Sequence, residues 1–191
     1  MNIQGTGILP EKITEYFYTA GTPLRRMLEK HSGQVRDKAL SVLAASGMNL
    51  DEELISNGAM LHDIGIIKCH APSIHCEGTE PYIAHGIIGA AMLRQYGADN
   101  GLELEPYARM CERHTGSGIT AAEIRNRALP VPEADYLPES AEEKLVCLAD
   151  KFFSKSGDMQ EKTITEIRKA AKFGEDSLAR MDGLLHFFRI I

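Results

Sequence analysis

The adjacent pair His62-Asp63 offers an imidazole nitrogen and two carboxylate oxygens at one point of the chain. A second acid, Asp150, closes the apolar run LVCLAD, and His31 lies upstream in an amphipathic stretch. Alone, His31 reads as an ordinary helix residue. In the order His, His-Asp, Asp, the four residues supply nitrogen and oxygen donors suited to a divalent transition metal. Cys69-His70 and His75-Cys76 place four further donors in one short stretch, but both pairs are adjacent and lack the two-residue cysteine spacing of structural zinc sites. Gly116-Ser117-Gly118 has the backbone freedom to cradle a phosphate, yet it lacks the lysine and helix of a P-loop and reads equally as a turn.

Helices must position these groups, because apolar residues recur at helical spacing and no run of alternating β-branched residues signals a strand. The expected fold is all-α, with about seven to nine helices. Thr22-Pro23 caps a helix that carries His31 and runs to Gly47; Asp51 caps the next, which Gly65 stops just beyond the His62-Asp63 pair. Residues 66–82 contain prolines and glycine without periodicity and read as a long loop, a length often associated with function. Helices are expected from Ile83 to Tyr96, ended by Gly97, and from Glu105 to His114, with a short one after Thr120. Ser140 and Glu143 form a capping box for a helix through Asp150. Helices over Thr163–Phe173 and Asp176–Phe188 should close the core, with His186 an ordinary helix residue.

In this context the sequence resembles the HD-domain superfamily of metal-dependent phosphohydrolases, and within it the proteins whose dyad reads HDIG, as His62-Asp63-Ile64-Gly65 does. The resemblance rests on KHS around His31, LHDIG at 61–65, AHGIIGA at 84–90, ERHTGSGI at 112–119 and EEKLVCLADKF at 142–153. It implies a single HD domain over 1–191, with the motif core at 31–150 and packing helices at 151–191. It also implies that His31, His62, Asp63 and Asp150 bind one ion, while His85 and His114 match the extra histidines of members that hold two.

Asp63, with two oxygens, is then the expected bridge and a catalytic residue. Two ions about 3.5–4 Å apart would activate water and neutralise phosphoryl charge. Fixed cations are expected nearby. Lys68, just past the dyad, is the first candidate as a catalytic and substrate-binding group, Arg113 the second, and His70 a loop donor to phosphate.

The implied cofactors are one or two ions of Fe, Mn, Zn, Ni or Co. The implied partner is a small phosphorylated substrate, foremost a nucleotide. Phosphomonoester, cyclic phosphodiester and dinucleoside polyphosphate hydrolysis all remain open, as does oligomeric state. Rival readings are a di-iron oxygenase of the same fold and a noncatalytic, metal-stabilised nucleotide-binding module.

Composition narrows the field further. Across 191 residues, 21 Lys and Arg against 27 Asp and Glu give a net charge of −6, which argues against a stable nucleic-acid complex held by bulk charge. The start MNIQGTGILPEK has no basic leader, and no apolar run approaches a membrane span, so a cytoplasmic protein without membrane association is expected. The scattered cysteines Cys69, Cys76, Cys111 and Cys147 read as reduced.

Overall fold

The computed structural model describes residues 9–170 and 174–191. Among them are nine α-helices: α1 (Pro10–Phe17), α2 (Pro23–Ser46), α3 (Glu52–Leu61), α4 (His85–Asn100), α5 (Glu105–Arg113), α6 (Ala121–Asn126), α7 (Ala141–Asp150), α8 (Ile164–Lys169) and α9 (Glu175–Phe187). The fold is all-α, as the periodicity predicts. The start of the chain and the expected end of the Thr163–Phe173 helix lie outside the described residues.

Local chemistry fixes the boundaries. The Thr22 side chain accepts from Arg25 N, Asp51 from Leu54 N and Ser140 from Glu143 N, so α2, α3 and α7 each begin with a paired orphan amide. The α4 helix departs from expectation at its end, running through Gly97 to Asn100 and stopping at Gly101, which is left-handed at φ 66°. Gly97 stays helical because the chain folds back on it: a Cβ there would lie 2.7 Å from Leu102 O. Its value is closeness of approach rather than termination.

The stretch expected to be a loop has more order than its composition suggests. A 3-10 turn covers Ile64–Lys68, and a two-residue antiparallel ladder pairs β1 (His70–Ala71) with β2 (Cys76–Glu77). His75 adopts a left-handed φ of 63° between the strands. The strands are too short to show alternation, so periodicity could not reveal them.

Two apolar clusters organise the helices. One joins Val35, Ala39 and Val42 of α2 to Ile55, Ala59, Leu145, Leu148, Leu185 and Phe188. The other joins Leu28 of α2 to Ile13, Leu61, Ile64, Leu93 and Cys111. Leu28, His31 and Val35 follow one face of α2, so His31 sits where the helix passes from one cluster to the other. Residues after the motif core belong to the first cluster through Ile167, Met181 and Leu185.

Candidate metal centre and adjoining cavity

Three short backbone bonds orient the histidines. Nδ1 of His62 lies 2.7 Å from Ala59 O, Nδ1 of His85 2.6 Å from Tyr82 O, and Nδ1 of His114 2.6 Å from Cys111 O. In each case the imidazole near a helix end binds the carbonyl three residues back. A neutral ring that donates through Nδ1 leaves Nε2 as a lone-pair donor to a metal.

The freed nitrogens, joined by Nε2 of His31, converge on Asp63. His31 and His62 Nε2 stand 3.3 Å and 3.1 Å from Asp63 Oδ2, while His85 and His114 Nε2 stand 3.3 Å and 3.4 Å from Oδ1. Asp150 Oδ1 completes the first group, 2.9 Å from His31 and 3.5 Å from His62. All six side chains are buried. The donors form two sets, His31-His62-Asp63-Asp150 and Asp63-His85-His114, that share the Asp63 carboxylate.

The donors fit divalent metals on two grounds. Ligands arranged tetrahedrally at about 2.1 Å from an ion lie about 3.4 Å apart, close to the spacings above. Moreover, His62 Nε2 and Asp63 Oδ1 are buried without a hydrogen-bonding partner, a costly arrangement unless a cation is bound. His85 and His114 Nε2 approach to 3.0 Å, and two lone-pair donors at that separation need positive charge between them.

The chain also places its own cations here. Lys155 Nζ is 2.7 Å from Asp63 Oδ2 and 3.9 Å from Asp150 Oδ1. Lys151 Nζ is 2.6 Å from Asp150 Oδ2 and donates to His114 O at 3.0 Å.

Burial raises carboxyl pKa values, but His62 and Lys155 hold Asp63 well below its usual range, and Lys151 and Lys155 do the same for Asp150. Burial lowers ammonium pKa values, yet Asp63 and Asp150 keep that of Lys155 well above its ordinary value. Burial, with His62 and His85 beside it, pushes His114 down to about 3 and leaves it neutral. Burial lowers that of His62 as well, but the Asp63 and Asp150 carboxylates outweigh it and carry the ring to about 9.

A cavity of about 460 Å³ opens beside the cluster, reaching His85, His114 and Asp150. One wall comes from the 66–82 segment and its continuation, through Ala71, Ser73, Ile74, Tyr82 and Ile83. Another comes from α8 and α9 through Ile167, Ser177 and Met181. Tyr82 stacks on His85 with centroids 4.7 Å apart. The Gly116-Ser117-Gly118 segment is a turn, with Gly118 N bonded to Thr115 O, and it is tied to α9: Ser117 Oγ donates to Ser177 O at 2.7 Å, and Arg180 donates to Gly118 O at 3.1 Å.

The structure brings together His31, His62, Asp63, His85, His114 and Asp150, but not Lys68, His70 or Arg113. Lys68 and His70 are exposed, and neither lines the cavity. The 3-10 turn faces the Lys68 side chain outward while its carbonyl accepts from Thr79 and Glu80. Arg113 donates to Leu137 O at 2.9 Å and pairs with Glu139 at 2.7 Å, bracing α5 against the start of α7. Among the described residues, the ammonium groups that contact the donor sets are instead those of Lys151 and Lys155. Sequence reasoning missed them because it looked for charge next to His62-Asp63. The pair also stands four residues apart just beyond Asp150.

The cysteine-histidine stretch forms no donor cluster among the described residues. All four cysteines are free and buried, and burial pushes the Cys69 and Cys76 thiols up to about 11. His186 is exposed on α9 and bonds to Asp182 O, apart from both donor sets. No helix among the described residues is long and apolar enough to cross a membrane.

The HD-domain family model matches residues 28–154, a span containing all six donors, and the chain belongs to that family. An uncharacterised protein of Methanocaldococcus jannaschii is 40% identical over 106 residues, which cover 56% of this chain and 52% of the relative. A tRNA (cytidine(56)-2'-O)-methyltransferase of Thermoplasma volcanium is 32% identical over 151 residues, covering 79% of this chain and 39% of the relative. The chain thus spans about half or less of the length of these curated relatives. Among solved structures, the HD domain of the L. monocytogenes phosphodiesterase PgpH is similar at 17% identity and a TM-score of 0.47, covering 86% of this chain and 92% of that one.

Proposed function

We propose that this protein is a metal-dependent phosphohydrolase acting on a small phosphate ester or anhydride, foremost a nucleotide. The observation that carries the reading is the shared Asp63 carboxylate, with two imidazole nitrogens facing each of its oxygens. His31, His62, Asp63 and Asp150 would hold one divalent ion, and Asp63, His85 and His114 a second. Such ions supply an activated water at neutral pH and neutralise charge on the phosphoryl group.

The chain's own residues provide the rest. Backbone bonds to Nδ1 keep three imidazoles oriented, so little reorganisation is needed at the moment of reaction. Lys155 and Lys151 border the cavity at its charged end and are placed to draw a phosphate toward Asp63 and Asp150. Phe153, Ile167 and Met181 offer an apolar wall to the organic part of a substrate. The whole chain, with α8 and α9 forming part of the cavity, would act as one unit. The methyltransferase name of the Thermoplasma relative is not carried over, since this chain covers only 39% of that protein.

The test is a phosphate-release screen over nucleotides and sugar phosphates, run on protein of known metal content with oxygen uptake followed in parallel. Hydrolysis is expected, and Asp63→Ala should lower it by at least about 10³-fold because the shared ligand is lost. Oxygen consumption without phosphate release would assign the site to the oxidative alternative. Full activity in Asp63→Ala would place the chemistry elsewhere.

A further inference from the structure

The charges around the cavity discriminate between kinds of phosphate ester, an inference that rests on the proposed function for the presence of ions at the two donor sets. Within the site the chain balances itself: Asp150 is met by Lys151 at 2.6 Å and Asp63 by Lys155 at 2.7 Å. The described cavity lining adds Lys162, which donates to Phe153 O, and no carboxylate beyond Asp150. Ser73, Thr115, Ser154 and Ser156 supply only uncharged hydroxyls. Positive charge brought by divalent ions therefore meets no further carboxylate among the described lining residues, which favours an anionic ligand. In a buried site that balance weighs far more than in water.

A phosphate monoester above its second pKa of about 6 carries two negative charges and three terminal oxygens. A diester carries one charge and two such oxygens. Lys151 is committed to Asp150 and to His114 O. Lys155 approaches Asp63 Oδ2 at 2.7 Å, with Asp150 at 3.9 Å and the Tyr82 ring 6.0 Å away, and it lines the cavity. An ammonium has three donors, so the Asp63 contact leaves donor capacity for a ligand oxygen. The family match ends at residue 154, so Lys155, Lys162 and the α8–α9 wall lie beyond it.

We propose that the cavity selects the dianion of a terminal phosphate monoester over a diester monoanion, with Lys155 as the specificity-determining residue that recognises the second charge. The organic group of the ester lies toward Ile74, Phe153, Ile167 and Met181.

The proposal is tested by calorimetric titration of the full chain loaded with Mn²⁺, using methyl phosphate and dimethyl phosphate at pH 8. Methyl phosphate should bind at least about tenfold more tightly, the low end of what a charge-assisted hydrogen bond supplies. Lys155→Met should reduce the ratio of the two affinities by about the same factor, weakening methyl phosphate that much more than dimethyl phosphate, with metal content retained, and Lys155→Arg should restore the ratio. Equal affinities in the wild type overturn the proposal without recourse to any variant. An undiminished difference in folded Lys155→Met, checked by circular dichroism, overturns the assignment to Lys155, and Lys155→Gln serves if the methionine variant does not fold. A tenfold preference in a protein that releases phosphate from no ester would sink the hydrolase reading and leave the selectivity standing. Equal affinities in a protein that hydrolyses diesters would do the reverse.

Discussion

Asp63 carries more of this site than any other side chain, because its two oxygens face four histidines and a lysine within 3.4 Å. Such a carboxylate can be buried only with nearby compensation. Lys155 supplies part of it. Lys68, which adjacency to the dyad singles out, does not, since its side chain is exposed. Lys68→Ala should therefore leave phosphate-release kinetics within about twofold of wild type and stability within about 0.5 kcal/mol, as expected of a surface substitution remote from the site. A loss of kcat near 10²-fold, the effect typical of a charge stabiliser at the reacting group, would return Lys68 to the site.

At the scale of elements, the decisive contact is between the turn after the dyad and α4. A Cβ at Gly65 would lie 2.2 Å from His85 O and 2.4 Å from Gly89 N, backbone atoms that cannot move aside cheaply. This close approach brings the His85 helix against the chain segment bearing Asp63. Tyr18 pins the same turn from the other side, its hydroxyl donating to Ile64 O at 2.7 Å. Gly65→Ala should cost about 1–3 kcal/mol, the usual range for overpacking, read as a lower urea midpoint, and should reduce bound metal.

The α5–α7 junction behaves differently because its Glu139 carboxylate is exposed. Arg113 and Arg109 hold the Glu139 carboxyl down to about 2 from its ordinary 4.5. A depressed folded pKa gives stability that is present above about 4.5 and lost as pH falls toward 2. Urea midpoints of wild type and Glu139→Gln should therefore differ most above pH 4.5 and converge on acidification. A gap that stayed constant down to pH 2 would mean that the pair contributes nothing to folding.

For the molecule as a whole, most folding energy lies in the two apolar clusters, and the polar site sits at their seam. Ile55, Leu145, Leu148 and Leu185 are completely buried in one, Leu61, Ile64 and Leu93 in the other. Stripping metal with a chelator should therefore abolish hydrolysis and lower Tm while leaving the helical circular dichroism intact. The lower Tm follows because ions that bind only the folded state stabilise it by mass action. Loss of helical signal on chelation would show instead that the ions hold the helices together.

The sequence by itself determined the helices, through Thr22, Asp51 and Ser140 as caps and apolar residues at helical spacing, and it determined the order of the six donors, because His62-Asp63 and the acid closing α7 are local patterns. It could not reveal the hairpin at 70–77, whose strands are too short to alternate. Nor could it show the end of α4, where Gly97 serves a contact from Leu102, or the cations of the site. Lys155 is separated from Asp63 by more than ninety residues of chain yet lies 2.7 Å away, because α7 packs between α2 and α5 and carries the following turn over the dyad. Lys68, five positions from Asp63, points outward because a 3-10 turn rotates it away. Side-chain identity and helical period are local properties, whereas which charge meets which depends on packing between elements remote in sequence, and only the tertiary structure decided it.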